Sequence, residues 1–400
     1  MFPTRRITLG GDKFRDEYSL EIDGTNDYLN AGNDSSIQVG TSDFSICAWI
    51  KKAADGNDAN IISYGVEDSG GNTRWYFRTD GSNKLEMYSY DGTGTSLIST
   101  STITGTGWNH VALSWDRDSA TGAKLYINGI LDAERDGTPE QGTLNNSAQG
   151  ILIGARRTTG TTITQHWNGK ISDIALYIGI ALTSSQVKTI YNGREPYNHK
   201  EGIASSNLVS WWRMGDGALD KFNLIGDEKT PTTGSNLVTN GTFESNITDG
   251  SWTDKNSTLA HETSAQITGS GSLKMTIDSG HASGGAYQNI GLAAGKTYNV
   301  TGKMKMTTGS HGEVTIFTSA SNGTGQTSVY QGSAHELTTA GGTVSFDASF
   351  IGVSGKPSIQ FACNEDSAVV LLDDVVVKEV NGNAGVMINM DSDDFTGDTP

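Results

Sequence analysis

Residues 108–131, WNHVALSWDRDSATGAKLYINGIL, constrain the fold more than any other stretch of this chain. Val111, Leu113 and Trp115 alternate with His110, Ala112 and Ser114. Further on, Leu125 and Ile127 alternate with Lys124, Tyr126 and Asn128. A side-chain period of two over such runs means antiparallel strands with one face on a core. Asn128-Gly129 then supplies the two positive-φ residues of a tight hairpin turn into a third strand.

The same signal recurs along the chain. YSLEIDGTNDYLNAG (18–32) reads as strand, Asp-Gly turn, strand. In FSICAWIK, Phe44, Ile46, Ala48 and Ile50 share one face and Trp49 takes the other, so this strand is expected to be covered on both sides. Further strands are expected at 60–65, 73–79, 84–90, 95–102, 151–156 and 166–179, close to the 8–12-residue spacing of a sandwich. There are 51 glycines and only 6 prolines among 400 residues, with many turn formers and almost no helical periodicity. That is an all-β composition, and the length implies two domains. One helix is predicted within TSSQVKTIYNG. Thr183 and Gln186 form a capping box, Val187, Ile190 and Tyr191 an apolar stripe, and Gly193 the stop.

The net charge of −17 argues against nucleic acid and against an anionic membrane surface, since both need a basic face. The two cysteines, Cys47 and Cys363, lie in separate apolar strands and read as buried thiols rather than a disulfide framework. The N-terminal stretch has two arginines without an apolar run behind them, so no signal peptide is expected, and no later segment reads as a membrane span.

The pattern Trp, His-Val-Ala, polar turn, Leu-Tyr-Ile-Asn-Gly resembles the middle of a laminin-G-like domain of the concanavalin A-like lectin/glucanase superfamily. GKISDIALY followed by the predicted helix resembles that family's end, so the resemblance spans about 18–195. LVSWWRMGDG (208–217) resembles a segment that follows such domains in proteins encoded by marine phages. There it leads soon into a tail similar to GVMINMDSDDFTGDTP (385–400). Here about 165 residues intervene, which implies an inserted domain. NLVTNGTFESNITDGSWT (236–253) and AVVLLDDVVVKEV (368–380) resemble the first and last strands of family 4/9-type carbohydrate-binding modules. The expected organisation is an arm at 1–17, a laminin-G-like jelly roll at 18–195 and a connecting segment at 196–233. A carbohydrate-binding-module-like jelly roll follows at 234–381, then a C-terminal strand and acidic tail at 382–400. The fold class is thus two antiparallel β-sandwiches, the second inserted near the C-terminus of the first.

Sugars present apolar C–H faces and dense hydroxyls, so their sites pair exposed aromatics with planar polar groups. On strand parity, Arg74, Tyr76 and Arg78 share a face that Tyr88 and Tyr90 join if register allows. The alternative is plain packing between sheets. In the insert, Trp252 and Tyr287 are the aromatic candidates, with Trp252 expected in a loop and exposed. The carbohydrate-binding-module resemblance implies a structural calcium held by Asn240, Glu244, Asp373 and Asp374, against a solvated strand end as the alternative. Asp23, Asp27 and Asn33 are a weaker set, since they are turn formers first. Glu134, Asp136 and Glu140 come nearest to the Glu-x-Asp-x-x-Glu pattern of the superfamily's glucanases. They have one residue too many, and Gly137 and Pro139 interrupt the strand. The expected function is therefore a non-catalytic structural protein on the virion surface, as capsid decoration or a head or tail fibre. It would contact other virion proteins or copies of itself, and glycans. The alternative is a bacterial surface or secreted polysaccharide-binding adhesin.

Overall fold

The computed structural model describes residues 14–67, 73–139, 141–146, 149–247, 250–281, 283–329, 336–338 and 342–400. The opening pattern folds as it reads. Asn109–Trp115 and Ala123–Ile127 pair antiparallel, with Val111 opposite Ile127 and Leu113 opposite Leu125. Asn128 and Gly129 take φ of 51° and 76° and turn the chain into Ile130–Arg135.

These strands belong to the first of two large sheets. Edge to edge it runs Ile130–Arg135, Ala123–Ile127, Asn109–Trp115, Phe44–Lys52, Asn168–Ile178, Ser19–Asp23 and Phe395–Thr396, and Leu208–Trp212 also pairs with Asn168–Ile178. The second sheet runs Leu224–Ile225, Gly385–Ile388, Tyr28–Asn30, Ile151–Ile153, Ala59–Gly65, Arg74–Thr79, Lys84–Tyr90 and Gly94–Thr102. Phe44, Trp75, Phe77, Trp115, Trp167 and Trp212 fill the space between them, all at most 1% exposed.

The outer face of the first sheet is covered as well. Helix Ser184–Tyr191, with both hydrogen bonds of its capping box present, presses Val187 and Ile190 onto Cys47, Tyr126, Tyr177 and Trp211. Its C-cap is Asn192 in the left-handed region, one residue before the expected Gly193. Trp49 packs there edge-on against His110. Leu208–Trp212 is thus covered on both faces, Trp211 beneath the helix layer and Trp212 in the sandwich core.

The C-terminal stretch closes the first sandwich rather than leaving it. Gly385–Ile388 pairs with Tyr28–Asn30 on one side and Leu224–Ile225 on the other, and Phe395–Thr396 pairs with Ser19–Leu20. Between exit and re-entry the chain builds a second sandwich. One sheet orders Ser257–Glu262, Ser272–Ile277, Val369–Val380, Thr297–Thr308 and Thr343–Ile351. The other orders Thr253–Lys255, Gly284–Asn289, Ser358–Cys363, Gly312–Ser319 and Thr327–Ser328. Its core is separate, built on Leu273, Met275, Tyr298, Phe346, Phe361 and Leu372.

Asp227 is the clasp at the crossing. Its carboxylate accepts from the N–H groups of Trp211, Lys229 and Asn383, so the outgoing and returning chains are tied to one buried group. A Cβ on Gly382 would lie 2.9 Å from the Asp227 side chain, so the two crossings touch. Replacing residues 230–381 by a short flexible linker should therefore leave the first sandwich folded, since loop-closure entropy varies only with the logarithm of loop length. A cooperative thermal transition of the deletion variant checks this. A cut that removes Asp227 or Asn383 should fail the same test.

Candidate functional site

The strand register sets the first candidate face. Arg74 lies opposite Tyr90, Tyr76 opposite Tyr88, and Arg78 opposite Glu86, so the five predicted residues share the outer face of the second sheet. Their side chains, however, occupy one another. Tyr76 and Tyr88 stack at 4.9 Å, and Tyr76 is 7% exposed. Arg78 and Arg156 lie 5.0 and 4.8 Å from the Tyr76 ring centre, and Arg74 lies 4.6 Å from that of Tyr90. Arg78 is bridged to Glu86 and Asp58, and Arg156 to Glu67. This is a stack of rings and guanidiniums that engage one another, with Tyr76 buried and Tyr88 and Tyr90 half-buried.

Trp252 lies outside the strands, just before Thr253–Lys255, as expected from the sequence, but it is not exposed. It is 6% exposed and packs on Phe243 and Phe361, with Nε1 donating to the Asn240 carbonyl.

Three of the four residues of the calcium expectation, Glu244, Asp373 and Asp374, gather near the 268–272 turn, but not as a cation cage. Asp373 is fully buried, and its Oδ2 accepts from the Thr268 N–H and from the hydroxyls of Thr268 and Ser272. Asp374 holds the Lys303 ammonium at 2.8 Å, which with the Thr268 hydroxyl keeps its carboxyl below the usual range. Glu244 accepts from Ser270, and Asn240 donates to the Ser245 carbonyl. Calcium takes six to eight oxygens. Here an ammonium and several N–H and O–H donors hold those oxygens, and among the described residues no three acidic, histidine or cysteine side chains gather around a common point. The residues present do not fit the ion. Of the weaker set, Asp23 accepts from the Thr25 and Asn26 N–H groups as an ordinary turn residue, and Asn33 donates to the Asn146 carbonyl. Asp136 likewise caps Thr138, and Glu140 lies outside the described residues.

An open aromatic surface lies at Tyr287. This residue sits on Gly284–Asn289, opposite Thr253 on one side and Gln360 on the other, and its ring is half-buried. Beside it is a hollow of about 340 Å³ lined by Thr239, Ser251, Thr253, Tyr287, Asn289 and Ser321 among others. Gln288 stiffens one wall: its side chain both accepts from the Thr239 N–H at 2.8 Å and donates to the Thr239 carbonyl at 2.9 Å. Gly323, at φ 70°, brings a turn against the ring edge; a Cβ there would lie 2.8 Å from the Tyr287 ring. A ring with hydroxyls and an amide around it can receive a C–H face and bond the hydroxyls beside it. Of these residues sequence reading singled out Tyr287 alone. Tyr287 and Asn289 share strand parity, but Thr239 and Ser321 come from distant turns that carry no signal of their own.

Residues 23–188 match the family model described as the concanavalin A-like lectin/glucanases superfamily. Residues 235–351 match the model described as a carbohydrate binding domain. Among solved structures, the chain is similar to a candidate carbohydrate binding protein from Bacteroides ovatus, with 18% identity, a TM-score of 0.41, and 54% of this chain and 56% of that chain covered. The CBM22-1 xylan-binding domain from Paenibacillus barcinonensis aligns at 18% identity and a TM-score of 0.31, over 37% of this chain and 97% of that one. A Ruminococcus gnavus sialidase CBM40 aligns at 16% identity and a TM-score of 0.36, over 44% and 97%. No curated protein matches the chain.

Proposed function

We propose that this chain is a non-catalytic glycan-binding structural protein of a phage particle's exterior, and that its inserted sandwich meets the glycan at Tyr287. The observation that carries the binding reading is the hollow beside that ring, walled by hydroxyls and an amide. The match of the insert to a carbohydrate binding domain supports it. The stacked face of the first sandwich is the less favoured platform, because Tyr76, Tyr88, Arg78 and Arg156 are already paired with one another or with carboxylates.

The placement on a virion rests on the marine-phage resemblance of LVSWWRMGDG and the C-terminal tail. Trp211, Trp212 and Met214 are spent inside this chain, each at most 1% exposed. Other virion proteins, or further copies of the chain, would therefore dock on different surfaces. Mass spectrometry of purified particles tests the placement. Recovery of the chain only from bacterial envelope or culture medium would favour the adhesin reading instead.

Tyr287→Ala should weaken binding to a glycan array's best ligand by about tenfold or more, since an aromatic contact contributes about 0.5–1.5 kcal/mol beyond its buried area. Affinity electrophoresis against that polysaccharide gives the measurement, and the thermal transition should move little because the ring is only half-buried. Unchanged retention of Tyr287→Ala would remove the hollow as the site.

A further inference from the structure

We propose that Lys52 and Asn83 become joined by an intramolecular amide bond that staples the two sheets of the first sandwich. Lys52 is the last residue of Phe44–Lys52, in the middle of the first sheet. Asn83 sits in the turn between Arg74–Thr79 and Lys84–Tyr90, in the second sheet. Among the described residues Lys52 is the one buried lysine, at 3% exposed. Its Nζ does not reach water freely but donates to Asn83 Oδ1.

The groups that such a reaction needs are in place. The nucleophile must be a neutral amine, and burial holds the Lys52 ammonium below its ordinary value, against the opposing pull of Asp55 and Asp80. A base must take the ammonium proton, and Asp55 Oδ1 lies 3.6 Å from Nζ. The other nearby carboxylate, Asp80, is engaged by the N–H groups of Ser82 and Lys84. The carbonyl oxygen must be met by a donor as it gains charge, and the Gly56 N–H already points at Asn83 Oδ1 from 2.8 Å. The electrophile must be held still. Asn83 is fixed in the left-handed region at φ 62°, with its N–H on the Asp80 carbonyl and its own carbonyl on the Ile103 N–H.

The step balances without an oxidant or a metal. Asp55 takes a proton from the ammonium, and the freed Nζ lone pair attacks Asn83 Cγ. A C–N bond forms and the oxygen, now negative, is held by Gly56. Collapse breaks the Cγ–Nδ2 bond, with the second Nζ proton passing to the leaving nitrogen. Ammonia departs and takes up the proton held by Asp55, so lysine ammonium plus carboxamide gives secondary amide plus ammonium. A hollow of about 350 Å³ lined by Lys52, Asn57, Asp58 and His166 adjoins the site and gives the ammonia a way out.

Peptide mapping of the purified full-length chain by mass spectrometry decides the matter. The expected result is a branched peptide that joins the Lys52 and Asn83 segments and is lighter by one ammonia than their sum. Lys52→Arg should restore the full mass, and Asp55→Asn should leave most of the chain unjoined. Cyclisation at an Asn-Gly pair also loses ammonia, but it gives no branched peptide and would survive in Lys52→Arg. Recovery of both segments as linear peptides of full mass from the wild-type chain would overturn the proposal, whether or not the variants fold. Joining at the wild-type rate in Asp55→Asn would overturn the assignment of the base.

Discussion

Trp212→Ala should destabilise the first sandwich by about 3–5 kcal/mol, the range for truncating a large buried aromatic side chain. The indole is fully buried in the core between the sheets, and its Nε1 donates to the Asn383 carbonyl where the returning chain re-enters. The substitution therefore leaves a cavity and an unpaired carbonyl at once. It strikes the crossing that defines the architecture, since Asn383 also bonds Ser210, Ser36 and the Asp227 carboxylate. Chemical denaturation should show an early first transition for the outer sandwich. The inserted sandwich, whose core contains none of these residues, should unfold near its wild-type midpoint. Simultaneous loss of both transitions would mean that the two cores are not independent.

A comparable loss is expected for Arg213→Met, again about 3–5 kcal/mol, because it takes the donor from three acceptors, Asp16 Oδ1 and the Arg15 and Asp216 carbonyls, at about 1–3 kcal/mol each. Arg213 packs against the rings of Phe14 and Trp211, which also touch each other, and bridges Asp16 at 2.7 Å, with the Asp16 side chain 1% exposed. Asp173 is buried nearby; it accepts from Trp211 Nε1 and lies 3.5 Å from His199 Nε2. Burial and Asp173 push Asp16 up to about 8, against the pull of Arg213. The sign follows from linkage. A carboxyl raised in the folded state contributes stability that is complete below its unfolded value, near 3.8, and is lost as pH rises through about 8. Stability of the first sandwich should thus decline from mildly acid to mildly alkaline pH, and Asp16→Asn should flatten that decline. Melting temperatures of the two proteins between pH 5 and 9 check it, and parallel curves would show that Asp16 does not titrate in this window.

What the sequence makes legible and what it does not follows the range of the interactions. Alternation in 44–52, 84–90 and 109–115, the Asn128-Gly129 turn and the Thr183/Gln186 capping box depend on neighbours a few residues apart, and each formed as read. The face shared by Arg74, Tyr76, Arg78, Tyr88 and Tyr90 was also legible, because parity fixes it once two strands pair. Whether that face is open was not legible. Arg156 and Glu67, which complete and neutralise the stack, arrive from elsewhere in the chain.

Burial and charge pairing across long separations belonged to the tertiary structure. Trp252 sits in a turn-rich stretch, yet the core closes over it. Asp373 and Asp374 look like ligands on their strand, but Lys303 and Thr268 reach them from other strands and turns. The hollow at Tyr287 joins residues from 239 to 321, and the contact of Lys52 with Asn83 spans the two sheets. By itself the sequence determined the strands of the first sandwich, its turns, the helix and the parity of its paired strands, because those obey local backbone periodicity, whereas the described residues of 236–252, expected as the insert's first strand, fold without one. Only the packing of strands distant in sequence decided which polar groups meet, which rings stay open, and which charges are buried together, because each depends on neighbours that the local pattern does not encode.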